Sequence, residues 1–360
     1  MPPAPDHGHR HDNAADPVAY GGQAVVEGVM MRGRREMAVA VRTPDGEILV
    51  WTDRCRSSGL ARRIGGWPFV RGGVLLWDTM SLGVRALIFS AATAEAHREV
   101  PPGKRNAGRG PAQAPIGGIT GPALWGTVAL SILFSVLLFF VLPLLVTAWL
   151  DRFVGSALVS NLIEGLIRLG ILFAYIAGIG YLPEIRRVYG YHGAEHKTVH
   201  AWESGDPLDV AHVRRHPLEH PRCGTAFMLV VVLLSMVVFM GLGRPELLPR
   251  LASRVVLVPL VAGVAYEVLK FGARHHANRV VGAVLRPSLK LQRLTTRDPD
   301  DAMLEVAVAA LLRVLVADGR IAADDPRLAS ARLVDGAGNP LPTPIHPAAD
   351  PATAEPLAAD

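Results

Sequence analysis

The chain has 360 residues, half of them apolar, and a formal net charge of +5 at pH 7. Length alone allows more than one compact unit, but the apolar residues crowd into the middle with the charges outside them, which excludes an ordinary soluble globule. Two cysteines, Cys55 and Cys223, exclude a disulfide framework, and the lack of a basic stripe interleaved with aromatics argues against a nucleic-acid partner.

Residues 1–17 are polar and carry no apolar signal-peptide run, so they are expected to form a disordered tail. His7, His9 and His11 belong to that tail and read as tail histidines rather than a site. Residues 18–56 predict a small β-rich cytoplasmic unit. Within it, Met37–Val41 and Ile48–Trp51 flank the turn signal Pro44-Asp45-Gly46, the pattern of a hairpin. The glycine-rich stretch Gly21–Gly33 before it predicts bends, and offers Glu27 and Arg32 as polar candidates.

Residues 57–121 are expected to form an interfacial or re-entrant helix and then a linker. Trp67, Phe69, Leu75, Trp77 and Leu82 are broken up by Arg71, Asp78 and Arg85, too charged for an ordinary span. The membrane core is expected over 122–317, with four spans near 124–150, 157–182, 225–242 and 255–271. Pro143 is expected to kink the first span. Glu164 and Arg168 share one face of the second and predict a structural ion pair. Glu267 in the fourth is costly in lipid unless paired or solvated, which makes it a functional candidate with Arg274 as the alternative partner.

Lys and Arg cluster before the first span, between the second and third, and after the fourth. That asymmetry places both termini and the middle loop in the cytoplasm, although Arg244, Arg250 and Arg254 in an outer loop run against it. After Asp298-Pro299-Asp300-Asp301, a helix-start signal, Met303, Val306, Ala307, Ala310, Leu311, Val314 and Leu315 recur at helical spacing. This predicts a C-terminal amphipathic cytoplasmic helix, with 318–360 a largely disordered tail. The fold class is thus mainly α, a polytopic helical membrane protein with a small N-terminal hairpin unit.

The chemistry is expected in the middle loop. If His192–Glu203 is helical, His192, His196 and His200 fall on one face, and imidazoles one turn apart can hold one transition metal. The order His192-x-x-Glu195-His196 is that of the inverzincin motif, in which both histidines bind zinc and the glutamate activates water. Gly193 within it weakens the helix by about 1 kcal/mol relative to Ala. A third ligand is needed, and His220, Cys223, Glu203 and His200 are the candidates. His220-Pro221-Arg222-Cys223 follows in a loop anchored in the membrane at both ends, with Arg222 as a phosphate contact in the plainer reading. Cys223 could serve as ligand or as nucleophile, and the sequence leaves both open. A di-iron histidine-box reading through His212, His216 and His220, with His275 and His276, fails because Pro217 and Pro221 break the helix it needs.

At Gly21–Gly33, Tyr191–Thr198, His220–Thr225 and Leu291–Pro299 the chain resembles the bacterial DUF1385 (YqhQ-like) family, over about residues 18–317. The resemblance implies membrane association and a metal-dependent enzyme, and singles out His192, Glu195, His196, His220 and Cys223. It implies no substrate, and His200, His212 and His216 stand outside its pattern. The expectation is a multi-pass inner (plasma) membrane protein holding zinc or another divalent transition metal. It would act as a hydrolase with Glu195 as base, on a lipid-linked or membrane-protein substrate. The alternative is a non-enzymatic transporter, channel or scaffold with a structural metal site.

Overall fold

The computed structural model describes residues 20–55, 70–98, 122–220, 223–243, 245–274, 287 and 289–341. The expected N-terminal tail, the linker at 101–121, and the candidates Arg222, His275 and His276 lie outside these residues.

The N-terminal unit is larger than a hairpin. Strands β1 (Gly21–Val25), β2 (Gly28–Arg32), β3 (Glu36–Arg42) and β4 (Ile48–Arg54) pair antiparallel in sequence order. A fifth strand, β5 (Ala331–Val334), adds in parallel to β4. The stretch 318–341, expected within a disordered tail, is therefore folded, and its strand closes one edge of the sheet.

Side chains alternate between the two faces of the sheet, as a pleated strand requires. Val29, Met31, Ala38, Ala40, Ile48 and Val50 face one core. Met30, Met37, Val39, Val41 and Leu49 face the other, where Leu82, Ala86 and Phe89 of α1 (Val70–Arg98) cover them. The opposite side of α1 exposes Trp77, Met80, Val84 and Leu87, three or four residues apart, so one helix has a face on the sheet and an apolar face turned outward.

Among the described residues, three helices are long and apolar enough to cross a membrane, at Gly126–Leu150, Ala157–Ile179 and Leu248–Gly272. The first is built from α2 (Pro122–Val136), a π turn at Leu137–Val141 and α3 (Leu142–Leu150). Pro143 has no N–H to give the carbonyl of Phe139, and that carbonyl instead accepts from Arg168 Nε at 2.9 Å. The second is α4 (Ala157–Ile179). After α5 (Pro183–Ser204) and the short α6 (Val210–Val213) comes α7 (Gly224–Met240), apolar but only 17 residues long. It rises about 26 Å, a few ångströms under the ~30 Å hydrocarbon core of a bilayer. The third long apolar helix lies within α8 (Leu247–Arg274).

The Glu164–Arg168 pair is part of a larger network. Glu164 also accepts from Arg250 Nη2 at 2.7 Å and from Arg254 Nη2 at 3.1 Å, all four side chains being buried. Asp151 contacts Arg250 at 3.3 Å, and Arg254 lies 4.1 Å from the centre of the Phe239 ring. Arg250 and Arg254 are thus helical and paired with carboxylates, not free outer-loop charges.

The helix expected from Asp301 onward is α9 (Asp301–Ala317), capped by Asp300, whose carboxylate accepts from Met303 N at 2.8 Å. It is not amphipathic in use. Twelve of its 17 residues are buried, because the sheet covers one side and α5 another. It is the central helix of the sheet-bearing unit, and it places α5 beside β1.

Candidate metal centre

Pro183 in its first turn starts α5, and the helix then carries His192, Glu195, His196, His200 and Glu203 in one register. After α6 the chain lays Leu218 against His196, then Glu219 and His220 against His200, and Cys223, the N-cap of α7, comes beside His192. Two ligand-bearing groups result. His192, His196 and Cys223 form one, and His200, Glu203 and His220 form the other, with the ligand atoms of each group within 4.8 Å of one another.

In the first group Cys223 Sγ lies 3.3 Å from His192 Nε2 and 3.0 Å from Thr225 Oγ1. The His192 and His196 rings are 4.4 Å apart. Each imidazole is oriented through its other nitrogen: His192 Nδ1 donates to the Thr295 carbonyl at 2.9 Å, and His196 Nδ1 to the Leu218 carbonyl. A carbonyl only accepts, so each Nδ1 carries the proton and each Nε2 presents a lone pair to the cluster. His196 Nε2 is buried with no hydrogen-bond partner among the described residues. Glu195 Oε2 is 3.6 Å from it, while Oε1 accepts the Gly22 backbone N–H at 2.8 Å.

Two glycines make this packing fit. A Cβ on Gly22 would lie 2.1 Å from the Met30 carbonyl and 3.2 Å from Glu195 Cγ. One on Gly193 would lie 2.2 Å from the Arg297 carbonyl and 2.9 Å from Leu218 Cδ2. Gly193 is therefore no weakness in the helix; it lets the 291–297 segment, which carries the Thr295 carbonyl, come down onto α5.

His220 does not join His192 and Cys223. It sits 4.7 Å from His200 and 5.7 Å from His196, ring centre to ring centre, and its Nε2 is 3.4 Å from Glu203 Oε2. Gln292, fully buried, fixes the His220 backbone from both sides: its Oε1 accepts from His220 N, and its Nε2 donates to His220 O, each at 2.8 Å. Burial holds the imidazoles of His200 and His220 below the ordinary histidine value.

The remaining sequence candidates have other places. Glu27 forms the β1–β2 turn at a left-handed φ of 52°, and its carboxylate takes a bidentate contact from Arg187 on α5 at 2.5 Å. Arg32 pairs with Asp78 at 2.6 Å and so ties β2 to α1. Glu267 is half-buried in α8 and belongs to neither group. Cys55 is a half-buried free thiol beside the sheet. Sequence reasoning missed Gln292, Thr295 and Gly22 as positioning residues, although Gly22 and the Leu291–Pro299 segment were marked as motifs whose role no spacing rule supplies.

The family described as "Protein of unknown function (DUF1385)" matches residues 67–317. The chain is similar to "Uncharacterized protein YqhQ" of Bacillus subtilis (strain 168), 32% identical over 304 residues, covering 83% of this chain and 93% of that protein. No solved structure gives a significant match. Since the match spans well over half of the chain and the relative aligns across nearly its whole length, the chain belongs to the DUF1385 family.

Proposed function

We propose that the chain is a multi-pass inner-membrane enzyme, a metal-dependent hydrolase working at the cytoplasmic face on a lipid-linked or membrane-protein substrate. The observation that carries this reading is His196 Nε2, a buried lone pair without a hydrogen-bond partner among the described residues, turned toward His192 Nε2 and Cys223 Sγ with the Glu195 carboxylate beside it. Buried polar atoms are nearly always satisfied, so such an atom among nitrogen and sulfur donors points to a cation. Bond lengths of 2.0–2.1 Å for zinc–nitrogen and 2.3 Å for zinc–sulfur put ligand atoms of a tetrahedral site about 3.3–3.6 Å apart. The nitrogen–sulfur edge of such a site is about 3.5 Å, and the His192–Cys223 separation of 3.3 Å lies a few tenths of an ångström inside it.

His192 Nε2, His196 Nε2 and the Cys223 thiolate would hold the cation, zinc or another borderline divalent transition metal. Bound there, a cation would supply Lewis acidity. Glu195 accepts a proton at Oε2, while the Gly22 N–H holds Oε1 and fixes the carboxylate's angle. The carbonyls of Thr295 and Leu218 keep both imidazoles in the ligating tautomer.

The membrane placement rests on the three apolar helices, with α7 as a fourth, shorter span and the exposed stripe of α1 at headgroup depth. Cys223 caps α7, so the site lies where that span meets the headgroups, within reach of a lipid-anchored substrate.

A second reading, a non-enzymatic transporter, channel or scaffold with a structural metal site, draws on the burial of Glu195 and its bond to Gly22. The two separate on Glu195→Gln. The zinc-loaded full-length chain is incubated in lipid nanodiscs with membrane extract of its own host, and cleaved products are followed by mass spectrometry. The enzyme reading expects products from wild type that fall by about 10²–10⁴-fold in Glu195→Gln at unchanged zinc content. Products equal in both, or none from wild type, would favour the structural site.

A further inference from the structure

We infer that His200, Glu203 and His220 form a second divalent-cation site, one helical turn along α5 from the first and independent of it. Its donor set is nitrogen, nitrogen and carboxylate oxygen, with no thiolate, which suits zinc or a similar borderline cation.

The two groups follow from one register. Successive turns of α5 present His192 and His196 to one position and His200 and Glu203 to the next. Leu218, Glu219 and His220 advance along α5 from His196 to His200 and Glu203, and Cys223 lies back beside His192, so His220 meets the later group and Cys223 the earlier one.

Orientation of the donors is built in as well. His200 Nε2 donates to the Glu219 carbonyl at 2.8 Å, which leaves Nδ1 as the lone-pair nitrogen. The Gln292 clamp sets the His220 backbone at both its N–H and its carbonyl. His220 Nε2 and Glu203 Oε2 are 3.4 Å apart, close to the edge of about 3.3 Å that two zinc bonds of 2.0–2.1 Å subtend in a tetrahedron. His216 stacks on His200, its ring parallel within 5° at 6.3 Å, and pairs with Asp206 at 3.0 Å.

The test is zinc stoichiometry of the full-length chain in detergent, stripped with chelator, reloaded and dialysed. The readout is the difference between variants, so any zinc on the tail histidines cancels. His200→Ala is expected to lose one equivalent relative to wild type, Cys223→Ser a different one, and the double variant both. Cobalt loading checks the fold, because a thiolate-to-cobalt band retained in His200→Ala shows the neighbouring group intact. If His200→Ala does not fold, Glu203→Gln on the more exposed side chain takes its place, with the same equivalent weakened at least tenfold. Equal zinc in wild type and these variants would overturn the second site. Loss in His200→Ala with no loss in Cys223→Ser would keep the second site and remove the first.

Discussion

Glu164→Ala is expected to lower the stability of the helical bundle by about 3–5 kcal/mol. Glu164 accepts from Arg168, Arg250 and Arg254 together, and all four side chains are nearly excluded from solvent. Taking the carboxylate away leaves three buried guanidiniums facing one another, with the Asp151 carboxylate 3.3 Å from Arg250. Like charges in a low-dielectric setting repel strongly. Arg168→Met is the informative partner, since it leaves Glu164 still paired with two arginines and should cost less. Thermal unfolding in nanodiscs of wild type and both variants reads the order. Equal losses would mean that Glu164 is not the hub of the network.

Gly193→Ala is expected to destabilise the chain and weaken zinc binding together. On helix propensity alone the change should stabilise α5 by about 1 kcal/mol. The contacts reverse that sign. The new Cβ would sit 2.2 Å from the Arg297 carbonyl and 2.9 Å from Leu218 Cδ2. Neither neighbour can yield freely, because residues 295 and 218 supply the carbonyls that orient His192 and His196. Overpacking of this kind costs about 1–3 kcal/mol, and a disturbed second layer lowers metal affinity by about 10–100-fold. Unfolding curves with and without zinc separate the two effects. A variant as stable as wild type, with unchanged affinity, would contradict the close approach.

Several features were legible in the sequence because they depend on local period. His192 and His196 share a face by the i, i+4 rule, and the apolar helices stand out by length and composition. Cys223 could be brought to them by topology, since its loop leaves and re-enters the apolar region. What the sequence hid depends on distant partners. His220 reads by sequence with His192 and Cys223, but Gln292, distant in the chain, clamps its backbone where the ring meets His200 and Glu203. β5 is four residues in an Ala- and Asp-rich stretch, and it becomes a strand only because β4 offers an edge about 280 residues earlier. The Glu164 network draws two of its arginines from a helix about 90 residues on, where spacing rules are silent. The period of α9 suggested one apolar stripe, yet its small alanines let the sheet and α5 close on both sides.

The central claim, a cation held by His192, His196 and Cys223, is tested most directly by the absorption spectrum of cobalt-loaded full-length chain. A thiolate-to-cobalt charge-transfer band is expected in wild type, absent in Cys223→Ser and lost or strongly weakened in His196→Ala, with Cys55→Ser unchanged. No such band, or one that survives Cys223→Ser and disappears in Cys55→Ser, would contradict the account.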